Sequence, residues 1–250
     1  MSDFPCFVVN LEKDKERRTA IDEQLRRHNI PHTFSPAVHG AALSGDELLK
    51  VYDEKKARDR QRELALPEIG CALSHYAIYR EMVRQNLPYA LILEDDVRLA
   101  DHTLAVLSGL SHALDRDKPT VVLLNHVRRY KPRPSILLTS THGLFNVYGR
   151  EVGAYAYCLT QSAAQNLMRA LYPVFRQCDE WGDFAAEGMI ELKAVVPYCA
   201  SHNYAFASNL KPERDEIKKR SPQLTKNYFC HWKRIVLTFL GIIKKQPETW

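Results

Sequence analysis

Glu94, Asp95 and Asp96 stand side by side where the apolar run Ala90–Leu93 stops. Adjacent carboxylates repel one another, and desolvating them is expensive. Three of them at the end of a buried strand call for a positive partner. Hard oxygen ligands of this kind suit Mg²⁺ or Mn²⁺, which usually recruit phosphate oxygens to complete their shell. The competing reading is an exposed acidic turn. Ligands of open α/β sheets sit beyond the carboxyl ends of strands, and this is where the triplet lies.

The elements that must position this turn can be read from the flanking pattern. Cys6–Leu11 (CFVVNL) is a short apolar run suited to a buried parallel strand. Residues 12–30 follow, with Ile21 and Leu25 four apart on the face of an amphipathic helix. Residues 31–40 open on Pro31 and close on Gly40, predicting extended chain and then a turn. Strand, helix, strand is half of a mononucleotide-binding layout. No GxGxxG occurs, so a dinucleotide fingerprint is absent. Asp53–Glu63 is nearly all charge and reads as a solvated helix, a mobile loop or a lid. Leu66–Asn86 has Ala72, Tyr76, Tyr79 and Val83 at helical spacing, with a start near Glu68 to Gly70. Thr120–Asn125, Gly153–Thr160 and Ile190–Tyr198 are further candidate strands, and residues 161–172 form a helix stopped by Pro173. Strands alternating with helices predict an α/β fold, a mostly parallel sheet with helices on both faces.

Composition narrows the class. The 250 residues are 45% hydrophobic and 26% charged, ordinary for a globular protein and long enough for one large α/β domain. The net charge of +5 is uneven. Lys211–Trp250 holds ten Lys/Arg against four Asp/Glu, leaving 25 against 26 for the rest. The basic excess therefore belongs to the C-terminal stretch, which argues against nucleic acid as a partner of the core. Six cysteines, at 6, 71, 158, 178, 199 and 230, contain no CxxC pair. They predict free thiols in a reducing compartment. Ser2 and Asp3 after Met1 do not read as a secretory leader, so the expected location is cytoplasmic.

Several segments, taken in order, resemble glycosyltransferase family 25, the bacterial lipooligosaccharide galactosyltransferases and their collagen-modifying relatives. LPEIGCALSHYAIYREMV followed by YALILEDDVRL is similar to the family's paired signature. FVVNLEKDKERR, FSPAVHG and GAYAYCLTQSAAQNLM add matches, so that the likeness spans roughly Phe4–Met168. The resemblance implies a GT-A-like single Rossmann-type nucleotide-binding domain, a nucleotide-sugar donor (UDP-galactose first) and inversion at the anomeric carbon. It implies Mn²⁺ or Mg²⁺ bound by Asp96, with Asp95 and a late His202 as further ligands. The usual acidic motif of the fold is Asp-x-Asp; here Glu94 departs from it and is expected at the ribose or a metal-bound water, with Asp95 at the ribose or sugar. Asn10, Arg18, Ser74 and His75 are expected donor contacts. The alternatives are a solvent-facing Arg18, and more so Arg17, and a merely satisfied buried His75. The segment CDEWGDF (Cys178–Phe184) is expected to supply the base, Asp179 ahead of Asp183, with the Trp181 indole stacked on a sugar ring. The same segment also reads as a capped helix start with a core tryptophan.

A transferase domain is expected over residues 1–210 and a basic, partly amphipathic tail over 211–250. In the tail, the apolar run Ile235–Ile243 is bracketed by Lys233, Arg234, Lys244 and Lys245. It is too short to span a bilayer, which takes ~20 residues. It reads as an interfacial anchor on an anionic inner membrane or as a packed helix. The expected function is transfer of a hexose to a glycan or glycolipid acceptor of the lipooligosaccharide or lipopolysaccharide core. The alternatives are a metal-dependent phosphohydrolase and a non-catalytic sugar-nucleotide-binding protein.

Overall fold

The computed structural model describes residues 4–203, 206, 234 and 236–248. Eleven strands and seven α-helices are named in chain order. Strand β1 (Cys6–Asn10), helix α1 (Lys15–Arg27) and strand β2 (Thr33–Pro36) form the expected opening unit. A 3-10 turn (Gly40–Ala42) and two short helices, α2 (Gly45–Val51) and α3 (Glu54–Arg60), lead into α4 (Leu66–Arg84). Strand β3 (Tyr89–Glu94) then ends on the acidic turn, and β4 (Val97–Leu99) leaves it. Helix α5 (Thr103–Ala113), strands β5 (Thr120–Leu123), β6 (Arg129–Leu137), β7 (Gly143–Val147) and β8 (Ala156–Thr160), helices α6 (Gln161–Leu171) and α7 (Trp181–Ala186), and strands β9 (Glu191–Val196), β10 (Ala200–His202) and β11 (Lys244–Lys245) complete the chain.

Nine strands form one sheet in the order β11-β6-β7-β9-β5-β8-β3-β1-β2. The pairs β1–β2, β1–β3 and β5–β9 are parallel, and β8, β7 and β11 run against the direction of the other six. The small β10–β4 ladder stands apart from it. Side chains alternate along each strand, so successive residues of β3 go to opposite faces. Ala90 and Ile92 meet α4, α6 and α7, among Ile78, Met82, Leu167 and Phe184. Leu91 and Leu93 meet α1 and α5, among Ile21, Leu25, Val106 and Leu110. The result is a three-layer α/β domain with helices on both faces, as the pattern predicts.

Several elements were not expected from the sequence. Helix α5 falls between the acidic turn and the strand expected at 120–125, and the β6–β7 hairpin between that strand and the one expected at 153–160. Strand β6 carries Pro132 and Pro134, which lack the donor a central strand needs, and it shows register shifts against β7 around Pro134. Strand β11 comes from the region expected to be a separate tail. It pairs antiparallel with β6, and Ile243 and Gln246 beside it are buried. Gln246 Oε1 accepts from the Val127 amide at 2.7 Å, and its Nε2 donates to the Val195 carbonyl at 3.3 Å. The end of the described chain is thus stitched onto the domain, while the expected boundary at 210/211 lies outside the described residues. Asp53–Glu63 is likewise anchored. Ala57 is buried, Arg62 holds the buried Glu68 through two nitrogens at 2.7 and 2.8 Å, and Arg60 pairs with Glu180. No helix among the described residues is long and apolar enough to cross a membrane.

Candidate active site

The carboxyl ends of β1 and β3 lie side by side, with Val9 opposite Glu94. This register brings Asn10 and the first turn of α1 over the acidic turn. Asn10 is buried, and its Nδ2 donates to Asp95 Oδ2 at 2.7 Å. Arg17 Nη1 donates to Asp95 Oδ1 at 2.8 Å and lies 3.6 Å from Asp96 Oδ2. The positive partner that three adjacent acids require is therefore Arg17. Arg18, the expected donor contact, is one residue further round the helix. Its guanidinium stacks on Phe34, 3.8 Å from the ring centroid, beside a separate groove. Helix α1 turns about 100° per residue, so the two arginines cannot share a face.

Asp95, also expected among the metal ligands, accepts one hydrogen bond on each oxygen, from Asn10 and from Arg17. Asp96 differs. Its Oδ1 is buried and has no hydrogen-bond partner among the described residues. Burial and the neighbouring Glu94 push its carboxyl up to about 6, against the pull of Arg17. An orphaned hard oxygen with suppressed ionisation fits a divalent cation, which would favour the charged form. The backbone of Asp96 is held by the amide of Asn203 at 2.7 Å, and the β10–β4 ladder sets His202 opposite Val97. His202 is thus one register step from Asp96, at the rim, with its ring 3.8 Å from that of Tyr155. Burial lowers its pKa, so the imidazole is neutral near pH 7 and able to ligate.

A cleft of about 280 Å³ runs between these strand ends and α4, lined among others by Arg17, Val38, Gly40, Cys71, Glu94 and Asp95. Its wall depends on two glycines. A Cβ on Gly70 would stand 2.5 Å from the Val38 carbonyl, and one on Gly40 would stand 1.8 Å from the Leu66 carbonyl. The Ser74 hydroxyl closes the same seam, donating to the Gly70 carbonyl at 2.6 Å and accepting from the Val38 amide at 2.8 Å. Ser74 thus shapes the wall and has no donor left for a ligand. The first turn of α4 is capped by Glu68, which accepts from the Ala65 amide at 2.9 Å. His75 is fully buried. Its Nδ1 meets the Tyr157 hydroxyl at 2.7 Å, and its Nε2 lies 3.6 Å from Glu94 Oε1. Although burial opposes the charged form, Cys71 and Glu94 outweigh it and raise the imidazole to about 10.

The segment expected to supply the base divides in the structure. Gly153, at φ 104°, presents its amide to Asp179 Oδ2 at 3.0 Å and its carbonyl to the Trp181 indole at 2.9 Å. Burial raises Asp179 above the ordinary carboxylate range, with Glu94 and Glu180 adding to it. A carboxylate made more basic in this way suits proton abstraction. Asp183 instead faces Arg150 at 2.7 Å and Arg60 at 3.4 Å. Those ion pairs join Arg176, Glu180 and Glu187 into a network that docks α3 on α7, so Asp183 is a poor candidate for the base. Trp181 is fully buried against Tyr157 and cannot stack on a sugar.

Comparison with known proteins shows the family. The sequence profile described as "Glycosyltransferase family 25 (LPS biosynthesis protein)" matches residues 4–181. A "Glycosyltransferase 25 family member" of Drosophila melanogaster is 37% identical over 99 residues, covering 37% of this chain and 16% of that protein. Human "Procollagen galactosyltransferase 2" is 32% identical over 114 residues, covering 44% and 18%. A "Putative glycosyltransferase" of Haemophilus influenzae is 32% identical over 101 residues, covering 40% and 35%. The chain thus aligns with between about a sixth and a third of the length of these relatives. The matched region runs from β1 through the acidic turn to the first residue of α7, and so contains the residues that line the cleft, the acidic turn and Asp179: the chain belongs to glycosyltransferase family 25.

Proposed function

We propose that the protein is an inverting, divalent-metal-dependent hexosyltransferase that moves galactose from UDP-galactose to a lipopolysaccharide-type core or a related surface glycan. The observation that carries this reading is the buried, unpartnered Oδ1 of Asp96 at the carboxyl end of β3. Galactose is favoured because relatives are named procollagen galactosyltransferases, and the glycan acceptor because the family is described by LPS biosynthesis. Asp96 would hold the cation, with His202, one register step away across the β10–β4 ladder, as the further candidate ligand. Once bound, Mn²⁺ or Mg²⁺ supplies Lewis-acid neutralisation of the departing diphosphate. Arg17, already beside Asp96, adds fixed positive charge at the same place. The donor carries its own good leaving group, so no general acid is needed, unlike in a glycosidase. Asp179 takes the proton of the acceptor hydroxyl as its oxygen attacks the anomeric carbon from the face opposite the nucleotide, inverting the centre.

A surface near the C-terminus suits an acceptor embedded in lipid. Phe239, Leu240 and Ile242 are exposed next to Lys244 and Lys245, an apolar patch with basic neighbours that matches an anionic membrane interface.

The test is nucleotide release from a panel of UDP- and GDP-sugars with Mn²⁺ or EDTA, with and without lipooligosaccharide acceptors. The expected outcome is Mn²⁺-dependent UDP release from UDP-galactose that falls at least 100-fold in Asp96→Asn and Asp179→Asn. Hydrolysis of simple phosphate esters, or donor binding without turnover on any acceptor, would overturn it.

A further inference from the structure

Behind the cleft lies a cluster that sugar transfer leaves unused. Cys71 and His75 are four residues apart on α4, so they project from one face of the helix. The segment before α7 delivers Cys178 to them from more than 100 residues away, with the two sulfurs 3.6 Å apart. The ligand atoms of Cys71, His75 and Cys178 all lie within 4.8 Å of one another. We propose that these three residues form a zinc site, with Glu94 closing the fourth position from the cleft side.

Three independent features support this. The first is spacing. Tetrahedral zinc with Zn–S bonds of about 2.3 Å sets its two sulfurs roughly 3.8 Å apart, and the observed separation needs little adjustment. The second is the imidazole. His75 is fully buried, and its Nε2 has no hydrogen-bond partner among the described residues. Leaving such an atom unsatisfied is costly. Its other nitrogen, Nδ1, is fixed by the Tyr157 hydroxyl, which also meets the Tyr79 hydroxyl at 2.7 Å. Outer-shell bonding of this kind orients a ligating histidine and sets its tautomer. The third is the open side. Glu94 Oε1 stands 3.6 Å from His75 Nε2 and reaches the cluster from the cleft.

The donor set also separates this site from the one at Asp96. Two thiolates and an imidazole select zinc, whereas carboxylates select magnesium or manganese. Binding would release the thiol protons of Cys71 and Cys178 and the extra proton of the His75 imidazole to solvent. It would also tie α4 to the residue preceding Asp179, so the position of the proposed base would depend on the ion.

The test is spectroscopic and needs no sugar transfer, so its outcome is separate from that of the donor assay. The full-length protein, kept reduced and stripped with a chelator, is titrated with Co²⁺. One equivalent should produce a thiolate-to-cobalt charge-transfer band with the intense visible bands of a tetrahedral ion, and Zn²⁺ should erase both. Cys178→Ser should lose the charge-transfer intensity by at least half. Cys158→Ser, buried on the opposite face of the sheet, should keep it. The wild-type protein supplies a second readout that does not depend on the folding of Cys178→Ser. Zn²⁺ should slow alkylation of Cys71 and Cys178 at least tenfold, located by peptide mass. No cobalt band in the wild type, an undiminished band in folded Cys178→Ser, or alkylation indifferent to zinc would each overturn the assignment. So would a Cys71–Cys178 disulfide in the purified protein that forms in place of metal binding.

Discussion

Asp96 and Asp95 are neighbours in sequence with different fates. Each oxygen of Asp95 accepts a hydrogen bond, from Asn10 or Arg17, while Asp96 keeps one buried oxygen without a partner among the described residues. The Asp96 carboxyl is raised to about 6 by burial and by Glu94. The folded protein therefore holds this proton more tightly than the unfolded chain, whose value is about 3.9. The stability contributed by this group is full below about pH 4 and is lost as pH rises through about 6, an effect of roughly 3 kcal/mol. Asp96→Asn cannot ionise and should escape the loss. In EDTA, urea denaturation should find the variant about equal to wild type at pH 4 and more stable at pH 7. An identical difference at both pH values would show that Asp96 is not strained by its own charge. The roles of these acids were only partly legible. Three carboxylates after an apolar run mark a site, but the choice among them is made by Arg17, 78 residues from Asp95 in sequence. Nothing local distinguishes Arg17 from Arg18.

The helix carrying the paired signature was legible as an element, because its apolar spacing is local. What its glycine is for was not. Gly70 lies against the Val38 carbonyl and the Gly40 amide, at 2.5 and 2.6 Å from where a Cβ would stand. Backbone on both sides cannot yield as a flexible side chain would. Gly70→Ala should cost about 2–4 kcal/mol and should weaken UDP binding, because Val38 and Gly40 line the cleft. Gly45→Ala is the control, since a Cβ there meets nothing within 4 Å. Thermal melts and nucleotide titrations of the two variants check both effects; equal behaviour would remove the seam from the account. The aromatic in CDEWGDF shows the opposite limit. A tryptophan among acids has the composition of a sugar platform, yet burial against Tyr157 and a bond to the Gly153 carbonyl make Trp181 part of the core.

At the scale of the whole molecule, the segment near the C-terminus both adds an edge strand to the sheet and carries exposed apolar side chains. Ending the chain after Ile242 removes the buried Ile243 and Gln246 and leaves the Val127 amide without its acceptor. This truncation should cost about 2–5 kcal/mol, read as a lower urea midpoint. An unchanged midpoint would mean that β11 contributes nothing to the sheet. Phe239 is 90% exposed, so Phe239→Ser should not disturb folding. If the surface meets lipid, the wild type should co-sediment with phosphatidylglycerol vesicles and not with phosphatidylcholine vesicles. Phe239→Ser should weaken that binding several-fold. Binding unaffected by the substitution would place the contact elsewhere.

Taken alone, the sequence determined the α/β class, the strand–helix–strand opening, the acidic turn at a strand end and the family likeness. Each of these is written in short-range periodicity or in contiguous motifs. Tertiary structure decided which carboxylate stays unpaired, which arginine neutralises the turn, and that Trp181 belongs to the core. It also decided that the chain's end adds an edge strand, and that Cys178 meets Cys71 and His75. The physical reason is the same in every case. These outcomes depend on pairings between residues far apart in the chain, fixed by which strands lie side by side and by the register between them.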